Sequence, residues 1–114
     1  MYQVSFPAQS NRASWVFIGQ IMDLGENLID ISACSMAFAI REKNNGSQRL
    51  EATTANGKLT IVDLGTFRWF FTKDEMGSLC PETYETGLTL TNDDGTQTVQ
   101  LSVGPLPIVD GVVP

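Results

Sequence analysis

Histidine is absent from the sequence. That removes Ser-His-acid triads, Cys-His dyads and histidine zinc sites, and with them most hydrolase mechanisms. Cysteine is scarce: Cys34 and Cys80 are too few for a disulfide framework, and neither sits in a CxxC pair suited to metal or redox chemistry. Positive charge is also thin. Seven basic residues lie scattered among thirteen acidic ones, giving a net charge of −6 and a pI near 4.3. A phosphate backbone would be repelled by the average field and would find no basic run, so nucleic acid is not an expected partner. No apolar stretch reaches the roughly 18 residues of a membrane span. The N-terminal MYQVSFPAQSNRASW lacks both a basic leader and a continuous apolar stretch with a cleavage site. These gaps predict a reduced chain, cytoplasmic when synthesised, with no membrane insertion.

What is present is apolar sequence cut into short packets. With 42% hydrophobic and 18% charged residues, the 114-residue chain suits one domain, 1–114, burying roughly two-thirds of the surface its unfolded form exposes. Turn residues arrive about every eight to twelve positions, the spacing of an all-β sandwich or barrel. SWVFIGQIM (14–22) is apolar on both faces over its first half, which predicts a strand buried on both sides in the middle of a sheet. Cys34, Met36, Phe38 and Ile40 then alternate with Ser35, Ala37, Ala39 and Arg41. KNNGSQ (43–48) supplies an Asn-Gly hairpin turn into RLEATT, and ANGK (55–58) a second turn, before Leu59 and Ile61. TYETGLTLT and TQTVQLSV form a hairpin through NDDG, with Val99, Leu101 and Val103 facing one way. Thr72 can cap a short helical turn near residues 73–79 that places Met76 and Leu79 on one face. Residues 1–12 read as an N-terminal edge strand or arm. The tail, 105–114, reads the same way at the C-terminus, because its early prolines cannot donate to a ladder.

TFRWFF (66–71) concentrates four of the ten aromatic residues. In a strand, Phe67, Trp69 and Phe71 share a face, and burying three such rings is worth on the order of 6 to 9 kcal/mol, comparable with the net stability of a small domain. They are predicted to form the core with Trp15, Met36 and Phe38. Tyr84 joins them at the start of a late strand, where in immunoglobulin-like sandwiches a tyrosine hydroxyl bonds back to upstream backbone. Phe70 and Arg68 remain on the opposite face as a candidate interface, either a subunit contact or part of a stacking platform. Cys34 falls on the apolar row and Cys80 in a turn before Pro81, an unpromising geometry for a bridge.

No catalytic, metal or cofactor site is expected. The acid pairs Asp74 and Glu75, Glu82 and Glu85, and Asp93 and Asp94 read as turn and cap residues with no sign of a raised pKa, and NDDG lacks the further bidentate acid of a calcium loop.

The order of pieces resembles the immunoglobulin-like N-terminal domain of tailed-phage baseplate upper proteins and related short prophage tail proteins. The resemblance is carried by IDISAC and MAFAIRE, then NGKLTIVDLGTFRWFF, DEMGSL, CPETY and the closing TLTNDDGTQTVQLSVG with PIVDG, about residues 14–110. Ala33 and Glu82 stand where that family tends to carry glycine. The resemblance implies an immunoglobulin-like antiparallel β-sandwich of about 7–9 short strands. It further implies a non-catalytic structural or adaptor role in a virion or tail particle, with other tail or baseplate proteins, or the chain itself, as partners. It brings no catalytic residues. The alternative from a different class is a small carbohydrate- or surface-ligand-binding sandwich.

Overall fold

The computed structural model describes residues 2–110. The elements run β1 (Tyr2–Gln3), β2 (Gln9–Ser10), β3 (Trp15–Gln20), β4 (Ser35–Arg41), β5 (Gln48–Thr53), β6 (Leu59–Asp63), β7 (Thr66–Phe71), α1 (Lys73–Met76), β8 (Thr83–Thr91) and β9 (Thr98–Val109). One sheet has the order β1-β9-β8-β4-β5, with β2 also on β9; the other is β3-β7-β6. This is an all-β sandwich in which the N-terminal segment runs parallel to the last strand and leaves β3 at a sheet margin.

The core is aromatic. Phe67, Trp69 and Phe71 of β7 are buried, as are Trp15, Met36, Phe38 and Tyr84. The Trp69 ring stacks on Phe38 from the opposite sheet at 3.9 Å and on Phe17 of neighbouring β3 at 4.4 Å. Phe6 stands edge-on to Trp15, Phe17, Phe38 and Trp69, so the irregular segment after β1 closes the cluster. Cys34 is half-buried against the core and Cys80 exposed, both as free thiols.

Local chemistry fixes the connections. Gly46 and Gly57 adopt φ of 69° and 79°, as the two Asn-Gly turns require. Only the first closes a hairpin; the second carries the chain from β5 across to β6 in the other sheet. Thr72 caps α1 through a capping box: its hydroxyl accepts from Glu75 N–H, and the Glu75 carboxylate accepts from Thr72 N–H at 2.9 Å. Met76 and Leu79 are buried beneath it. The Tyr84 hydroxyl accepts from Cys80 N–H at 2.8 Å, which ties the corner before β8. Burial pushes the Tyr84 phenol above its ordinary range, against the lowering effect of that bond.

Three expectations are corrected. SWVFIGQIM does not supply a strand buried on both faces: β3 is marginal, and Val16 and Ile18 are 48% and 62% exposed, because among the described residues no third layer covers the outer side of this sheet. The segment 105–109 is neither an edge strand nor an arm, since β9 is held by β8 on one side and by β1 and β2 on the other, and Leu106 and Ile108 are buried. Ile108 N–H donates to Glu82 C=O, so by alternation the missing donors of Pro105 and Pro107 face the N-terminal segment. The parallel ladder is interrupted there, between Gln3 and Gln9. A Cβ at Gly104 would lie 1.5 Å from the Val4 carbonyl oxygen, so glycine is what lets that segment lie against β9. Residues 111–114 of the expected tail lie outside the described residues. Finally, a register shift between Leu88 and Thr89 separates the row Val99, Leu101, Val103. Val99 pairs with half-buried Leu90, whereas Val103 pairs with Gly87 on the outer face.

Candidate interaction surfaces

The outer face of the three-stranded sheet holds Phe70 and Arg68. Cross-strand register aligns Val16 with Phe70 and Ile18 with Arg68, and places Thr60 of β6 beside Arg68. Phe70 is half-buried and Arg68 exposed. This face is apolar toward β3, while its β6 side mixes Lys58, Thr60 and Asp63 with the exposed Val62. Lys58 is already engaged, donating to the Glu75 carboxylate at 2.6 Å. Partial burial pushes Glu75 upward, but the Lys58 bond and those from Thr72 outweigh it and hold the carboxyl below its ordinary 4.5.

Beyond Gln20 the apolar surface continues into the loop. Ile21 N–H donates to Gly65 C=O at 2.7 Å, which joins the 22–29 loop to the β6–β7 turn. Together they expose Met22, Leu24, Ile29 and Leu64. Of the nine large hydrophobic residues exposed among the described residues, seven belong to β3, β6 or these two connections, so exposed apolar surface is segregated on one side and one end of the sandwich.

The outer face of the larger sheet is different in kind. Ala37, Ala39 and Gly87 form the floor of an open groove of about 960 Å³, and Arg41, Glu51, Glu85 and Gln100 stand around it. Glu85 is directly opposite Arg41 in register. Among the residues whose side chains are described, no aromatic lines this groove.

Two further acids shape local structure. Asp94 accepts from both the backbone N–H and the hydroxyl of Thr96, side-chain bond foremost, which holds its carboxyl below the ordinary range. Asp23 accepts from Gly25 N–H at 2.8 Å and Asn27 N–H at 3.0 Å, shaping the loop after β3. Among the described residues no cluster of three or more acids and cysteines could hold a metal ion, and no helix is long and apolar enough to cross a membrane.

Sequence reasoning placed Phe70 and Arg68 on the outer face but missed Val16 and Ile18 beside them. Their alternation with Trp15 and Phe17 was the available signal, and it is ambiguous, because an apolar outer row looks alike whether buried by folding or left open. Phe6, Leu106 and Ile108 were missed as core because neighbouring prolines argued against regular strand. No family model matches the chain, and no curated protein matches it.

Proposed function

We propose that the chain is a non-catalytic structural or adaptor component of a phage or prophage tail, associated with the baseplate and resident in the virion or tail particle. It acts by burying surface against neighbouring tail proteins or another copy of itself. The observation that carries the interaction role is the segregated apolar surface formed by Val16, Ile18 and Phe70 with the exposed loop residues Met22, Leu24, Ile29 and Leu64. Interface cores favour aromatic and aliphatic residues with few charges, and Arg68 stands beside Ile18 with Lys58 engaged by Glu75 at the β6 side. The tail assignment rests on the resemblance from MAFAIRE through NGKLTIVDLGTFRWFF to the final hairpin.

Mass spectrometry of purified tail particles from the producing strain tests this reading. The chain is expected in them at a fixed ratio to the other tail proteins, and Phe70→Ser is expected to lower its incorporation. Absence from the particles would overturn the proposal.

The second reading, a surface-ligand module, draws on the polar groove above Ala37, Ala39 and Gly87. Saturable glycan binding lost on Ala39→Trp, together with absence from particles, would favour it.

A further inference from the structure

The margin formed by β3 is unlike the other open margins of the sandwich. Phe70 N–H donates to Lys58 C=O, so alternation turns the amides of Phe67, Trp69 and Phe71 toward β3. Their register partners Gly19, Phe17 and Trp15 are therefore the hydrogen-bonded ones, and Ile21 N–H to Gly65 C=O continues the series. It follows that the N–H and C=O groups of Val16, Ile18 and Gln20 point out of the sheet. Among the described residues no strand lies beyond them.

Open strands invite pairing with another chain, and proteins usually block them with charge, proline or a bulge. The β6 margin carries Lys58 and Asp63 and has a register shift between Ile61 and Asp63. On β5 the residues Arg49 and Glu51 stand at the margin. The β1 and β2 margin is broken between Gln3 and Gln9, around Pro7. By contrast WVFIGQ has no charge, no proline and an unbroken register with β7.

We infer that β3 pairs antiparallel with β3 of a second copy of this chain, about a two-fold axis at Ile18, joining two three-stranded sheets into one. Three observations select a second copy as the occupant. First, the segment is self-complementary: Ile18 faces Ile18 of the partner subunit and Val16 faces Gln20 of the partner subunit, so the outward groups of all three residues are satisfied. Second, a chain of net charge −6 meets its copy along a strand with no charge. The nearest like charges in the joined sheet are the two Arg68 side chains, three strand spacings or about 14 Å apart, which exceeds the Debye length of about 8 Å at physiological ionic strength. Third, Val16 and Ile18 stand exposed on the outer side, so pairing also covers apolar surface there. One strand pair with its flanking side chains is smaller than the roughly 800 Å² per partner of a standard stable interface, so the dimer is weak and reversible. The inference deepens the proposed assembly role and rests on that reading.

Sedimentation equilibrium on the full chain tests it, comparing wild type with Ile18→Lys and Val62→Lys, with a thermal melt of each. Wild type and Val62→Lys are expected to show a concentration-dependent monomer–dimer equilibrium that added salt does not weaken. Ile18→Lys is expected to stay monomeric at every concentration at which wild type dimerises, with its melting unchanged. Should Ile18→Lys fold poorly, Ile18→Thr with the same readout replaces it. A wild type that remains monomeric, or a dimer lost in Val62→Lys and kept in Ile18→Lys, would overturn the pairing. Monomeric wild type found in purified tail particles would sink self-pairing alone, whereas absence from the particles would sink the tail reading.

Discussion

The inner and outer sides of the β3–β7 pair are built from similar residues and meet different fates. Inside, Trp15, Phe17, Phe67, Trp69 and Phe71 interlock with Phe6 and Phe38 from the other layer. Outside, Val16 and Ile18 stand exposed beside the half-buried Phe70, and no further layer of the described chain lies over them. The hydrophobic driving force per unit area is the same on both sides. One row is therefore satisfied by folding, and the other keeps its apolar area available for association. If the proposed assembly role holds, stability and assembly are separable on a single pair of strands.

Substitutions on the two sides should confirm or break that separation. The largest loss is expected inside: Trp69→Ala should cost about 3 to 5 kcal/mol in denaturant unfolding, since it empties a stacked site between Phe38 and Phe17. Trp69→Phe should cost clearly less. It keeps a ring in place and removes an indole N–H that is buried without a hydrogen-bond partner. Next comes the corner that holds the sandwich shut. Tyr84→Phe leaves Cys80 N–H without its acceptor, and should cost about 1 to 2 kcal/mol by the same measurement.

Smaller still is the cap beside the outer face. Thr72→Ala should cost about 1 kcal/mol. The Lys58–Glu75 pair adds a pH dependence whose sign is fixed. Because the folded Glu75 carboxyl titrates below its ordinary 4.5, its contribution is present above that pH and is lost as pH falls through the folded value. The gap in melting temperature between wild type and Lys58→Met should accordingly narrow on the acid side of 4.5. A gap that widened there would contradict the assignment. The smallest effect on stability is expected outside, where Ile18→Ser should stay within about 0.5 kcal/mol of wild type in the monomer.

The two sides also differed in how well the sequence revealed them. Period-two alternation in TFRWFF identified the inner row of β7, and the capping pattern at Thr72 and the Asn-Gly turns set the local breaks. Tyr84 was legible through its position before a late strand. The outer row was not legible, because the period shows that two faces are apolar without showing what lies over them. The end of β9 was misread for a related reason. Proline excludes a ladder on one side only, and Pro105 and Pro107 both present that side to the interrupted N-terminal segment. Strand order, which makes β3 marginal, depends on the N-terminal segment choosing β9, and no local pattern encodes that choice.

Amide hydrogen exchange by NMR, followed as protein concentration is raised, most directly tests whether the outer side of this sheet is an assembly surface. The account predicts that exchange at Val16, Ile18 and Gln20 slows with concentration, while Ile61 on the β6 margin does not change. Exchange at Ile18 that is independent of concentration, or equal slowing at Ile61, would contradict it.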